Sequence, residues 1–305
     1  MWFIFTIITT LIWGFAELFY KKGARDNEKY SHLKICIFVG VVMGLHAIFV
    51  LLSSGIKYDF INIIKYFPVS FFYILAMALS FFGMRFLEES ISDPIENTSG
   101  VITAILCFII LKQDINLIAI AAIVLILIGI IAIGYSEAKD DNGRMKKYGK
   151  RLAILAFAMP FLYAIFDGTG SFLDAYYLEM ETSPLIGITE ENIELIANTS
   201  YELTFLILAI VLFIYIKLKK ENLNLKDQKH KILAAICETG GQFTYVYAMS
   251  GKAIIAAPVI SSVCVVSVVL SRIFLKEKLT KRQYISIISV ICGIIILAIN
   301  EAMQE

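Results

Sequence analysis

The second half of this chain repeats its first. Laid over residues 258–298, residues 94–134 align without a gap. Pro94 meets Pro258, Leu111-Lys112 meets Leu275-Lys276, and Gly129-Ile130-Ile131 meets Gly293-Ile294-Ile295. The repeat lies in a chain of 305 residues that is 59% hydrophobic and only 17% charged, with a mean hydropathy of +0.78. Such a composition is that of a polytopic membrane protein and leaves no room for a soluble domain. A helix needs roughly 20 apolar residues to cross the hydrocarbon core. Ten such stretches can be placed, at 2–20, 33–54, 66–87, 94–112, 116–136, 150–174, 192–217, 230–249, 253–275 and 282–300. Runs this long exclude a transmembrane β-barrel, whose strands are shorter and alternate. Duplicated helical bundles are the architecture of carriers, whose halves rock around a site at the repeat interface. The expectation is an all-α membrane protein in two five-helix units, 1–137 and 150–305, joined by a basic linker at 138–149.

Charge in the connectors is one-sided. Lys21, Lys22, Arg25, Lys29 and Lys34 follow the first stretch, and Lys139, Arg144, Lys146, Lys147, Lys150 and Arg151 the fifth. Lys217, Lys219, Lys220, Lys226, Lys229 and Lys231 follow the seventh, and Lys276, Lys278, Lys281 and Arg282 the ninth. The opposite parity holds little more than Lys57, Lys65, Lys112 and Lys252. The positive-inside rule then makes the basic connectors cytoplasmic and puts both termini outside. The first stretch reads as a retained span, because no basic residues precede it and no small-residue cleavage site follows. Anionic lipid head groups suffice as partners for the basic turns, and nucleic acid is not implied. Cys36, Cys107, Cys237, Cys264 and Cys292 are lone thiols in apolar stretches with no CxxC pair, so they read as packing residues, and neither metal nor cofactor is expected.

An ionisable side chain inside a span costs roughly 2.5–3.5 kcal/mol at the bilayer centre and therefore marks a cavity or a partner. Those in this chain are nearly all acidic: Glu17, Asp167, Glu202 and Glu238. Aligning Trp13-Gly14 with Tyr163-Ala164 superposes Glu17 on Asp167, in the leading helix of each half. Helical spacing groups Trp13, Glu17 and Tyr20 on one face, Tyr163, Asp167 and Ser171 on another, and Glu238, Gln242 and Tyr245 on a third. An acid flanked by aromatic or amide groups is thus used three times. Carboxylates without basic neighbours favour a cation, and aromatic faces attract one through the ring quadrupole. The cation is the substrate, a coupling proton or sodium, or both. Asp167-Gly168-Thr169-Gly170 and Glu238-Thr239-Gly240-Gly241 place small residues beside two of these acids, where close approach or bending of a helix gives access.

Other polar residues have plainer readings. Glu17 also sits one turn from Lys21, as a structural i, i+4 pair would. Asp93-Pro94-Ile95-Glu96 fits an N-cap, a proline at the first helical position and a capping-box glutamate. His46, on a face with Met43 and Val50, reads as a hydrogen-bonded packing residue, and Gly40 with Gly44 as a helix-packing pair. Residues 174–194, with Asp174, Glu179, Glu181, Glu190 and Glu191, read as a solvated outer loop. An intramembrane hydrolase would need a nucleophile with its base or paired aspartates, and the sequence offers neither.

One stretch carries a family resemblance. Ala257-Pro258-Val259-Ile260-Ser261, ending in Leu275-Lys276-Glu277-Lys278-Leu279-Thr280, resembles the helix 9 pattern of the EamA branch of the drug/metabolite transporter superfamily. The first half holds a worn copy, Asp93-Pro94 through Leu111-Lys112-Gln113, and Trp13-Gly14 matches a pair common in helix 1 of that family. The resemblance implies ten helices in two inverted five-helix repeats and alternating access, with a cavity lined by the opening helix of each repeat and by helices 3, 4, 8 and 9. It also implies both termini in the cytosol, where the charges place them outside. Its substrates range over amino acids, nucleotide sugars, organic cations and choline. A sugar nucleotide would require buried Lys or Arg, which the spans lack. The expected activity is secondary active transport of a small organic cation or zwitterion, such as a quaternary amine, across a bacterial cytoplasmic membrane, and the alternative is proton-coupled export of amino acids or other small metabolites.

Overall fold

A computed structural model describes residues 1–23, 28, 30–83, 95–140, 150–221, 228–274 and 279–303. Every regular element among them is helical. They are α1 (Trp2–Gly23), α2 (Ser31–Ser53), α3 (Ile61–Gly83), α4 (Ser99–Leu106, continued by a wider π-type turn over Cys107–Leu111), α5 (Leu117–Asp140) and α6 (Lys150–Leu178). There follow α7 (Ile193–Leu218), α8 (Lys229–Ile260), α9 (Val263–Phe274) and α10 (Lys281–Ala302). Six of these, α1, α2, α3, α7, α8 and α10, are long and apolar enough to cross a membrane by themselves.

The boundaries depart from the sequence expectation in the two repeated stretches. Residues 94–112 and 253–275 were each expected as one span, and each is interrupted. Residues 95–96 are helical, 97–98 form a turn, and α4 begins at Ser99; likewise 253–260 are helical, 261–262 form a turn, and α9 begins at Val263. The two breaks occupy aligned positions and have the same chemistry. Thr98 Oγ1 donates to Ile95 O at 2.7 Å and Ser262 Oγ to Val259 O at 2.6 Å. Short hydroxyl side chains compete in this way for carbonyls the helix would otherwise use. A further break lies at Lys252, whose backbone (φ −116°, ψ 79°) divides α8 into two helices. The amide of Ile254, freed by that kink, donates to Gln113 Oε1 at 3.1 Å.

The helices pack as antiparallel pairs. α1 runs along α8, with Thr9 Oγ1 2.7 Å from Thr244 Oγ1, and α6 runs along α3. α2 lies on α7 and α5 on α10. In the last pair a Cβ added to Gly129 would meet Val290 and Ser286, and one added to Gly293 would meet Ile126 and Ala122. Those neighbours are themselves aligned across the repeat, so the contact is reciprocal. Large apolar side chains such as Leu45, Phe49, Ile64, Ile128 and Ile285 remain on the outside, as the lipid face of a membrane bundle requires.

Two lysines expected in solvated basic turns are instead buried. Lys34 and Lys231 are 3% and 1% exposed and both grip Glu28 from the connector between α1 and α2, Lys34 at 2.5 Å. Burial alone would raise the Glu28 carboxyl, but the hydrogen bonds and charges of the two lysines bring it down from 4.5 to about 2. A carboxyl lowered by folding contributes stability above its unfolded value and loses it as pH falls through the folded one. Glu28→Gln is therefore expected to lower the melting temperature near neutral pH, with the deficit shrinking as pH falls from 4.5 towards about 2. Thermal melts of the two proteins across that range check it; a constant deficit would assign the effect to lost hydrogen bonding.

Candidate functional site

A cavity of about 220 Å³ opens between α1, α3, α6, α8 and the two broken stretches. The antiparallel α1–α8 contact builds one wall. Gly241 lets the Trp13 indole lie against the α8 backbone, since a Cβ there would stand 2.3 Å from Trp13 Cδ1. Trp13 Nε1 in turn donates to Glu238 O at 3.3 Å, and Tyr20 OH donates to Glu238 Oε2 at 3.3 Å. Glu17, between them on α1, faces the same space. Tyr163, Asp167 and Ser171 form the facing wall from α6, and Gln242 and Tyr245 continue the α8 face. Gln242 Nε2 is buried and finds no hydrogen-bond acceptor among the described residues.

All three sequence-derived faces thus converge on one space. Glu202 is the exception and stands away from the cavity. It is fully buried in α7, with both carboxylate oxygens 2.8 Å from His46 Nδ1 and Oε1 also accepting from Asn198 at 3.0 Å. The buried carboxylate has a partner within the protein, His46 on α2. Whether Lys21 reaches Glu17 lies outside the described residues.

Two acids were misplaced by the sequence reading. Glu96, expected as a capping residue, is 8% exposed, lines the cavity and accepts from Ser80 Oγ at 2.9 Å. Asp93 and Pro94, the other members of that capping motif, lie outside the described residues. Asp174, expected in a solvated loop, belongs to α6, is fully buried and accepts a hydrogen bond from Tyr66 OH. The 3.6-residue register that linked Asp167 and Ser171 also reaches residue 174, and that continuation was the available signal.

Aromatic groups cluster along part of the lining. Tyr73 OH lies 2.7 Å from Tyr245 OH and donates to Ser171 Oγ at 3.0 Å. Trp13 lies against Tyr245 with ring centroids 5.1 Å apart, and Tyr201 meets Tyr73 edge-on at 5.6 Å. The α3 and α7 contributions, Tyr73 and Tyr201, have no polar periodicity to betray them in sequence. Elsewhere in the lining the two broken stretches touch directly, Gly100 N at the start of α4 donating to Ser261 Oγ at 3.1 Å. Four carboxylates, Glu17, Glu96, Asp167 and Glu238, face the cavity, and among the described residues lining it there is no Lys, Arg or His.

A multi-pass helical bundle enclosing a small cavity lined by acids and aromatic rings is an architecture found among membrane carriers. The chain belongs to the EamA-like transporter family, whose model matches residues 1–135 and 182–299, and so to the drug/metabolite transporter superfamily. Members of that family are transporters and not enzymes. The chain is also 34% identical over 149 residues to an uncharacterized protein of Methanocaldococcus jannaschii, a match spanning 48% of this chain and 97% of that one. A solved structure described only as "Crystal structure of protein" superposes with a TM-score of 0.69 at 9% identity, over 100% of this chain and 98% of the other. That likeness concerns the fold alone.

Proposed function

We propose that the protein is a secondary transporter that moves a small organic cation or zwitterion, such as a quaternary amine, by alternating access. The observation that carries this reading is the cavity charge: four carboxylates and no described basic side chain around about 220 Å³. That volume falls below the roughly 300–1,000 Å³ of sites for drug-sized ligands, which favours a solute of few carbons. Asp167 and Glu238 supply the counter-charge, and Trp13, Tyr163 and Tyr245 supply faces on which a quaternary ammonium can rest without hydrogen bonds. Gln242 favours a substrate that also carries an acceptor, since its buried Nε2 lacks one; that points to a zwitterion or a hydroxylated amine. The same donor suits proton-coupled export of amino acids, with some of the acids carrying the proton.

Many alternating-access carriers are built from halves of opposite orientation. Pairing of α1 with α8 and of α6 with α3, the reciprocal α5–α10 contact and the matched breaks at 97–98 and 261–262 all support two inverted repeats related by a two-fold axis in the membrane plane. A relative matched almost entirely by about half of this chain is in keeping with a five-helix unit of independent origin. The meeting of Glu28 with Lys231 gathers two basic connectors at one end of the bundle, which supports a cytoplasmic face there and termini outside.

Ligand-induced thermal stabilisation tests the substrate class. Purified protein is screened against organic cations, betaines, amino acids, nucleosides and sugar nucleotides at about pH 6 and about pH 8. The expected result is stabilisation by cations and zwitterions only, stronger at the higher pH because ionised carboxylates bind the cation. Stabilisation by anionic or neutral compounds with no response to cations would defeat the cation reading and leave the acids to proton coupling or packing.

A further inference from the structure

Away from the cavity, α2 and α7 share an acid and a histidine that the substrate reading leaves without a task. Glu202 is fully buried in α7, and both its carboxylate oxygens lie 2.8 Å from His46 Nδ1 on α2. Asn198, one turn earlier on α7, donates to Glu202 Oε1 at 3.0 Å. The His46 side chain is 29% exposed, and among the described residues no hydrogen bond engages its Nε2. One ring nitrogen is thus committed inside the bundle and the other is open.

A bare imidazole nitrogen and an ionised carboxylate are both acceptors, so one hydrogen must lie between Nδ1 and Glu202 at all times. A proton that comes and goes is then the one at the open Nε2. With it the pair is neutral overall, whether drawn as imidazolium with carboxylate or as imidazole with carboxylic acid. Without it one negative charge stays in a buried position, compensated only by neutral donors, and such burial is expensive. The helices packed on α2 are α7 and α8. From α7, Glu202 is the titratable group in electrostatic contact with His46 among the described residues. From α8 the imidazole meets the Phe243 ring at 5.4 Å, which adds no charge. The balance of this buried charge therefore falls to the proton.

We propose that His46 and Glu202 form a proton-binding site, separate from the substrate cavity, that fastens α2 to α7 when loaded and loosens that contact when empty. The proton is exchanged with water through Nε2, and an N–H bond is the only one that forms or breaks. Loaded, the two helices are joined by a charge pair as well as a hydrogen bond; empty, they keep the hydrogen bond alone. The consequence reaches the cavity along the chain. Tyr201, next to Glu202 in α7, lines the cavity and meets Tyr73 edge-on at 5.6 Å. A loosened turn of α7 holds this part of the lining less firmly. None of this depends on which solute is carried.

Nitrogen-15 NMR of the histidine-labelled full-length protein in liposomes reads the site without any substrate. The chain has three histidines, and His46→Gln identifies the signal that belongs to this one. At about pH 6, within the range where histidine changes charge, wild-type His46 is expected to carry protons on both ring nitrogens and to lose that on Nε2 as the pH rises. Glu202→Gln removes the counter-charge, and its His46 is expected to be singly protonated at the same pH. A wild-type His46 that is singly protonated at about pH 5 overturns the site, as does a doubly protonated fraction that Glu202→Gln leaves unchanged. If Glu202→Gln does not fold, the wild-type titration decides alone. A proton that stays on Nε2 up to about pH 9 makes the pair a permanent clamp and overturns the switch. Hydrogen exchange of residues 196–205, corrected for the intrinsic effect of pH, reads the fastening. Opening should be about ten-fold more frequent at about pH 9 than at about pH 6 in wild type and equal at the two in His46→Gln. Equal opening in wild type overturns the effect on α7, and a pH dependence that survives in a folded His46→Gln protein assigns it to other groups and overturns it equally.

Discussion

Glu238→Gln is expected to abolish saturable choline uptake by the reconstituted protein while leaving the fold in place. The carboxylate lies in the cavity, where Tyr20 donates to Oε2 at 3.3 Å, and a glutamine carbonyl can accept that same hydrogen bond. The Trp13 contact is made to the backbone carbonyl and does not depend on the side chain at all. What the substitution removes is the charge. Breaking a buried charge pair costs roughly 3–5 kcal/mol, equivalent to a hundred-fold or greater loss of affinity, so uptake at ordinary concentrations should fall to background. Uptake by proteoliposomes, with a thermal melt of the same preparation, checks both halves of the expectation. Normal uptake by a folded Glu238→Gln protein would count decisively against a role for this carboxylate in holding a cation.

The repeat and the site faces were legible because both rest on periodic features. Pro94 and Pro258 mark equivalent positions, and the i, i+4, i+7 register of an α-helix brought Trp13, Glu17 and Tyr20 to one side of α1 without any knowledge of its neighbours. The breaks at 97–98 and 261–262 were not legible. Asn, Thr and Ser also occur inside helices, and only the turning of the Thr98 and Ser262 hydroxyls onto Ile95 O and Val259 O, which depends on side-chain geometry, marks these as breaks. The acids show the same division. Asp167 and Glu238 lie deep in long apolar runs and drew attention by depth. Glu96 imitates a helix cap, and Asp174 sits where an apolar run gives way to Tyr176, Tyr177 and Glu179, so both looked superficial. Glu202 is the converse case. Its depth was read correctly, but a partner 156 residues away in the chain, His46, is what accounts for it. Depth in a span shows that a charge must be compensated; whether a ligand or the protein compensates it depends on which helices meet.

The largest effect on stability is expected at the contact of α2 with α7. Gly40 and Gly44 lie one turn apart on α2, a spacing that brings helices close in membranes, but their surroundings differ. A Cβ on Gly40 would stand 2.2 Å from the carbonyl oxygen of Phe205 and 2.8 Å from Ala209 Cβ. On Gly44 the nearest atoms are the two Leu206 methyl carbons, at 2.6 and 2.7 Å, and Leu206 Cβ at 2.8 Å, all from one side chain and none from the backbone. A leucine end can rotate away, whereas a carbonyl in mid-helix moves only if α7 moves. Displacing α7 would also stretch the contact of His46 with Glu202, which holds an otherwise uncompensated buried carboxylate in place. Gly40→Ala should therefore cost at least the roughly 1–3 kcal/mol typical of overpacking, with part of the protein failing to fold, while Gly44→Ala loses less. Melting temperatures and folded yields of the two variants decide between close backbone packing and mere smallness as the reason for glycine. Equal losses would mean that α7 yields as easily as a leucine side chain, and the α2–α7 pair would then be a sliding contact and not a fixed one.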